Sequence, residues 1–247
     1  MDDRGVEGVV QVAPTPPWPL RVVHVPRQDS HLPLARARNV GVSEAVAAGC
    51  ERLVLLDVDC IPSAGLVDRY CEVLGSVSTQ DDGAPRVLCG EVAYLPLLPE
   101  GMKPSDPDRL GTARPHPARP VLATDAIQVE QDVTRFWSLS FAMTVPDWCT
   151  VGGFDEAYVG YGGEDTDYGQ RLRSAGGQML WVGGAGAFHQ YHPVRFPPVQ
   201  HLEDIVRNAN LFAQRWGWWP MEGWLAEFAG AGLAVRSSDG RWHAVPT

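Results

Sequence analysis

Between Arg52 and Asp59 the chain reads RLVLLDVD, an apolar run without alternation that ends on two carboxylates. A strand covered on both faces has this pattern, as in a parallel sheet flanked by helices. Ahead of it, LPLARARNVGVSEAVAAG places Leu, Ala and Val at helical spacing and stops at Gly49, which predicts a helix. A short β-branched run, Val22 to Val25, follows the turn-rich PTPPWP and predicts a strand. Strand, helix, strand in that order predicts a right-handed crossover. Pro62 opens a second predicted helix through about Leu74, and RVLCGEVAYL is the next predicted strand. The stretch from Pro96 to Pro120 has prolines and charges but no period, and a loop of this length in a compact domain is usually functional or mobile. FWSLSFAMTV predicts a strand, GGEDTDYGQRLRSAG an acid-started helix closed by Gly176, and QMLWVG another strand. The remainder, VQHLEDIVRNANLFAQRWGWWPMEGWLAEFAGAG, predicts two amphipathic helices broken at Pro220. The pattern predicts an α/β fold with a mostly parallel central sheet flanked by helices. Residues 1–195 would form the main domain, and 196–247 a helical C-terminal extension packed on it.

Composition narrows the partners. At 247 residues and 45% hydrophobic content the chain can bury a substantial core. Thirty acidic against 20 basic side chains give a net charge of -10. With no Lys/Arg cluster, neither a nucleic-acid backbone nor an anionic membrane surface is an expected partner. MDDRGVEGVV lacks the basic and apolar regions of a signal peptide, and no apolar run approaches the ~18 residues of a membrane span, so a cytoplasmic location is expected. Nothing in the sequence opposes a homo-oligomer. The five cysteines are widely spaced and form no CxxC, which predicts buried, reduced thiols rather than disulfides or structural zinc.

Three clusters carry candidate chemistry. On a strand, Asp57 and Asp59 would project from the same side, roughly 6–7 Å apart, where two anions repel unless a cation lies near them. A divalent ion would satisfy them, and so would capping of the following turn. In GGFDEAYVGYGGEDTDYGQRLRSAGG, Gly152 to Gly177, the acids Glu164, Asp165 and Asp167 crowd a predicted first helical turn, where the macrodipole favours anions. The dipole does not account for Gly160, Gly162 and Gly163, which allow close approach of a ligand, with Tyr161 and Phe154 as stacking surfaces for a sugar ring. An Asp there can take a proton from an attacking hydroxyl. In AFHQYHP, His189 and His192 are either packed imidazoles or ligands completing a site begun by Asp57 and Asp59.

In this order the motifs resemble nucleotide-sugar glycosyltransferases of the GT-A fold. Val151 to Arg173 is similar to the C-terminal module of β-1,4-galactosyltransferase-type enzymes, and Ala37 to Asp59 is similar to the inverting glycosyltransferase family 2. The resemblance spans Leu34 to about His192. It implies a Rossmann-like domain and an inverting, metal-dependent transfer of a hexose, galactose or a related sugar, from a UDP-sugar to a saccharide or glycoconjugate hydroxyl. It further implies Mn²⁺ or Mg²⁺ held by Asp59 and by His189 or His192, with Asp57 helping to hold the metal or the donor's ribose. Asp165 would be the base, Glu164 would bind the acceptor, and Arg38, Asn39 and Trp137 would lie near the donor.

The chain departs from the resemblance at its start. Before ARN there is about one strand, where these folds have two, and MDDRG, with Asp2 against the nucleotide base, is similar to the end of the second. The expectation is a chain that begins late and lacks the first strand. The alternative function is a truncated or inactive relative that binds nucleotide or sugar without turnover. A calcium-binding loop and a dinucleotide-binding loop both fit poorly, since neither D-x-[DN]-x-[DN]-G nor G-x-G-x-x-G occurs in the required setting.

Overall fold

The computed structural model describes residues 18–29, 31–77 and 83–246. In chain order the elements are α1 (Leu34–Ala47), β1 (Arg52–Leu56), β2 (Cys60–Pro62), α2 (Leu66–Val77), β3 (Arg86–Tyr94), α3 (Pro107–Leu110), β4 (Arg114–Pro115) and β5 (Ile127–Glu130). They continue with β6 (Ser140–Thr144), α4 (Val145–Val151), α5 (Glu164–Ser174), β7 (Gln178–His189), α6 (Leu202–Trp216), α7 (Glu222–Gly230), β8 (Ala234–Arg236) and β9 (Trp242–Ala244). The first seven strands make one sheet in the order β1-β6-β3-β7-β2, with β4 added to β3 and β5 to β7.

The central strands are apolar on both sides because helices cover both faces. Val87, Cys89, Phe141, Met143, Met179 and Trp181 belong to a layer with Val42, Trp148 and Leu172, while Leu88, Ala142, Leu180 and Val182 belong to a layer with Leu66, Tyr70 and Leu74. The predicted α/β class and central sheet flanked by helices therefore stand. The direction of the strands differs from expectation. Only β3 and β7 pair in parallel, and every other pairing among the described residues is antiparallel. Strand β6 runs backwards between β1 and β3, yet it is as buried on both faces as β3, so hydrophobic pattern carries no sign of its direction.

Other differences have local causes. Residues 22–25 form no strand, and Val22 and Val23 are exposed. Pro62 ends β2 instead of opening a helix; β2 lies at the sheet edge, where a missing N–H is tolerated. The run through His189 is one strand of 12 residues, twice the predicted length, with a positive-φ Gly184 inside it. The irregular stretch after Pro96 is organised by the one-turn α3, capped by Asp106, and by β4. Arg109, buried, donates to the carbonyls of Pro104 and Pro96. Cys60 and Cys89 are buried free thiols, but Cys50 and Cys149 are exposed, contrary to expectation.

The C-terminal helices were expected and form; with the β8–β9 hairpin they enclose a small core of Ile205, Val206, Ala209, Leu225, Phe228 and Ala234. No helix among the described residues is long and apolar enough to cross a membrane. Beside β1, which has β6 as its one described partner, a cleft of about 580 Å³ opens against α1. Asp2 and the expected late start fall outside the described residues.

Tyr70 ties α2 to β3 and β6. Its fully buried hydroxyl accepts from the Gly90 N–H at 2.6 Å and lies 2.9 Å from Ser140 Oγ. Tyr70→Phe leaves that N–H unpaired in the core and is expected to lower stability by about 1–3 kcal/mol. Urea denaturation checks it, as a lower midpoint at unchanged slope.

Candidate active site

The DVD motif is not on a strand. β1 ends at Leu56, and Asp57 to Asp59 make the turn into β2, so the two carboxylates diverge instead of sharing one face. Asp57 turns to α1, where Arg38 Nη2 donates to its Oδ1 at 3.1 Å. Asp59 turns to β7. Antiparallel pairing sets Cys60 opposite His189, and the Gln190 N–H donates to the Asp59 carbonyl, which brings the Asp59 carboxylate beside both histidines. Asp59 Oδ2 is 3.5 Å from His189 Nε2 and 3.9 Å from His192 Nε2.

Asp59, His189 and His192 offer three ligand atoms within 4.8 Å of one another. One carboxylate oxygen and two imidazole nitrogens suit Mn²⁺ and similar divalent ions. Burial lowers the pKa of His189 despite the nearby Asp59, so its imidazole is held in the neutral form that can ligate. The residues present fit a divalent metal, and both histidines belong to the triad. Asp57, also expected as a ligand, stands outside it.

α5 begins at the glycine-rich loop. Gly163 is the cap in a left-handed conformation, φ 93°, and Glu164, Asp165 and Asp167 occupy the first turn. Their fates differ. Asp167 is buried, accepts from Tyr158 Oη at 3.1 Å and Trp216 Nε1 at 2.8 Å, and joins α5 to α6. Glu164 is buried; its Oε1 accepts from Arg38 Nη1 at 3.2 Å, and its Oε2 has no partner. Asp165 opens to a cavity of about 690 Å³ that also exposes Arg38, Asp57, Tyr94 and Trp137. Burial, then the Glu164 charge, push the Asp165 carboxyl up to about 7, against the pull of Arg38. Burial disfavours the Arg38 guanidinium, but Asp57, Glu164 and Asp165 together hold its pKa above the ordinary arginine value.

Of the expected site residues, Asp57, Arg38, Glu164, Asp165 and Trp137 meet around this cavity. The metal triad adjoins it through Tyr94, whose ring stacks on His189 at 4.9 Å. Asn39 does not join them. Its amide donates to the Phe154 carbonyl and to Glu156, and its Oδ1 accepts from the Phe154 N–H, so it secures the backbone ahead of the glycine-rich loop. Phe154 is likewise no sugar platform: it is buried, stacked on Tyr168 at 4.5 Å. Tyr161 remains exposed on the cavity.

Sequence reasoning missed His116, which β4 delivers to the cavity wall edge-on to Trp137 at 4.9 Å. It also missed the clamp on the glycine-rich loop. Asn208 Nδ2 donates to the carbonyls of Val159, Tyr161 and Gly162, and Asp204 Oδ2 accepts from the Tyr161 N–H. A Cβ at Gly160 would overlap the Asp204 carboxylate, so that glycine is required by the clamp as well as by its φ of 76°. The available signal was two short polar residues, four apart, on the apolar face of an amphipathic helix. Asn208→Ala strands the Tyr161 and Gly162 carbonyls, while the Val159 carbonyl keeps Arg207 as donor, and the expected loss is about 1–3 kcal/mol of stability by chemical denaturation, with faster amide exchange over residues 159–163.

Comparison with known proteins adds to this geometry. Residues 118–194, just under a third of the chain, match a family described as the N-terminal domain of galactosyltransferase. Validoxylamine A glucosyltransferase of Streptomyces hygroscopicus is 46% identical over 41 residues, 17% of this chain and 10% of that protein. Chondroitin synthase of Escherichia coli is 25% identical over 207 residues, 78% of this chain and 30% of that protein. The chain thus spans a third or less of these curated relatives. A solved structure of GalNAc-T7 with UDP, GalNAc and Mn²⁺ superposes with a TM-score of 0.40 at 15% identity, over 80% of this chain and 43% of that one. The family matched over residues 118–194 and the Streptomyces relative carry glycosyltransferase names.

Proposed function

We propose that this chain is an inverting glycosyltransferase of the GT-A type, moving a hexose from a UDP-sugar to a saccharide or glycoconjugate hydroxyl. The observation that carries the reading is the placing of Asp165, a carboxyl near neutrality, across one cavity from the wall that leads to Asp59, His189 and His192. The matched galactosyltransferase segment supports the same class and favours galactose or a related hexose.

The chemistry follows from what each side chain offers. The Asp165 carboxylate takes the proton of the acceptor hydroxyl as its oxygen bonds to the anomeric carbon of the donor. The bond from that carbon to the diphosphate breaks with its electrons going to UDP, and a single displacement inverts the carbon. A divalent cation held by Asp59, His189 and His192 would neutralise charge on the departing diphosphate. Arg38 fixes Asp57 and Glu164, leaving Glu164 Oε2 free to accept from an acceptor hydroxyl. Trp137, His116 and Tyr94 wall the donor side.

Calorimetric titration of UDP is expected to show binding with Mn²⁺ and little without it. Asp59→Asn should weaken the metal-dependent binding roughly 10–100-fold, since even outer partners of metal ligands cause losses of that size. Equal UDP affinity with and without Mn²⁺ would remove the metal from the reading. Binding without transfer to any acceptor would leave a nucleotide-binding relative.

Transfer rate should rise with pH through about 7, as Asp165 loses its proton, and level off above it. Asp165→Asn should cut the rate by about 10²–10⁴ and flatten that limb. The raised carboxyl binds a proton in the folded chain that the unfolded chain has released, so its contribution to stability falls as pH rises towards 7. The variant should therefore melt no lower than the parent above pH 7. A rate that keeps its acid limb in the variant assigns the base elsewhere.

A further inference from the structure

The cavity has a second aromatic wall besides the one formed by Tyr94, His116 and Trp137. It is made by Tyr161 and by the turn between α6 and α7, which presents Trp218, Trp219, Met221 and Trp224. Glu164 and Asp165 line the same cavity. From the sequence alone WGWWPMEGW could line an acceptor groove or pack the final helices, with packing favoured for most of its tryptophans, and Trp219 and Trp224 do pack on the small C-terminal core. Trp218 differs. It is 38% exposed and meets Phe212 edge to face at 4.6 Å, which fixes the indole while it lines the cavity. Tyr161, 39% exposed, is held on its other side by a stacked His201 at 4.4 Å.

The turn is fixed against the catalytic loop. Met221 adopts a left-handed φ of 54°, a conformation that side chains rarely take without a surrounding structure that imposes it. A Cβ on Gly162 would come within 2.8 Å of its sulfur, so turn and loop are in contact. The Tyr161 and Trp224 rings approach at 6.0 Å. On the floor, Glu164 is 6% exposed and its Oε2 is an acceptor without a donor.

We infer that the Trp218–Trp224 turn is the acceptor platform: Trp218, with Tyr161, takes the apolar face of a pyranose ring whose hydroxyls meet Glu164 and Asp165. This rests on the glycosyltransferase reading above. Rigid aromatic faces beside hydrogen-bonding carboxylates match the two chemistries of a pyranose, its C–H face and its hydroxyl rim. Those carboxylates also set the charge of the ligand. A uronic acid terminus would bring an anion against Glu164 and Asp165, so the ring accepted is neutral, a hexose or an N-acetylhexosamine.

Saturation-transfer NMR with N-acetylglucosamine, methyl β-D-glucopyranoside and methyl β-D-glucuronide, each with and without UDP and Mn²⁺, tests this. A neutral glycoside should bind the parent chain with its ring C–H protons most saturated, and the glucuronide should bind more weakly. Trp218→Ala should weaken the neutral glycoside about tenfold, the usual size for losing an aromatic anchor, and Trp218→Phe should keep most of the affinity. The inference is overturned if no neutral glycoside binds, if Trp218→Ala binds as the parent does, or if the glucuronide binds best. Calorimetry of UDP with Mn²⁺ on the same samples reads the donor side separately. Absent UDP binding with intact glycoside binding counts against the transferase reading and for the platform.

Discussion

One guanidinium makes the site possible. Asp57 ends the path of β1, and Glu164 and Asp165 start α5; left alone these three carboxylates would repel one another and part the two elements. Arg38 reaches from α1 between them, bonded to Asp57 at 3.1 Å and to Glu164 at 3.2 Å, with its guanidinium carbon 5.2 Å from the centroid of the Phe154 ring. Its side chain is 14% exposed, so the ion pairs act in a medium that screens them less than water does. Arg38 bonds the other two and not Asp165, whose carboxyl burial and then the Glu164 charge push up to about 7. One side chain thus ties α1 to both Asp57 and Glu164 at the edge of the cavity.

The sequence made legible what local periodicity and burial determine. α1, β1, β3, α5 and the two C-terminal helices lie where the pattern predicts them, because each is an apolar face or run bounded by Gly, Pro or charge. Strand direction was hidden, since β6 and β3 are buried alike whichever way they run. β2, β4 and β5 were hidden because they are short and owe their pairing to neighbours already in place. The same distinction runs through the site. Arg38, Glu164 and Asp165 follow from motifs, but the separation of Asp57 from Asp59 depends on a turn, and the union of Asp59 with both histidines depends on the register of β2 against β7. Asn39 looked chemical and is structural for a related reason: a motif says which residue is special without saying whether its polar atoms face a ligand or a backbone.

The C-terminal helices also do more than enclose their own small core. Through Asp204 and Asn208, α6 supplies the hydrogen bonds that the glycine-rich loop cannot make within itself, and through Asp167 it receives α5. A loop with Gly160, Gly162 and Gly163 all at positive φ has much entropy to lose, so its shape has to be imposed from outside. The extension is therefore coupled to the position of Asp165 even where it touches no substrate.

The charges around the cavity bear on which substrate goes where. Among the described residues lining it, Arg38 is the one Lys or Arg, and it is already bonded to two of the carboxylates there. A diphosphate would meet net negative charge on the α5 side. Behind Trp137 the balance reverses. Arg119 is buried, stacks on Trp137 and Trp181 at 4.9 and 5.4 Å, and has no carboxylate partner among the described residues. Its uncompensated charge lies on the wall that runs by His116 and Tyr94 to the metal triad. A fixed charge in a poorly hydrated wall projects further than one in water. On the proposed reading, this field and a cation at Asp59, His189 and His192 both draw the anionic donor to that wall, and the carboxylates of α5 leave the opposite wall to a neutral acceptor. On that same reading a metal is called for by the electrostatics of the cavity: one buried guanidinium does not offset a diphosphate near Asp57, Glu164 and Asp165, and a divalent ion would supply the remainder.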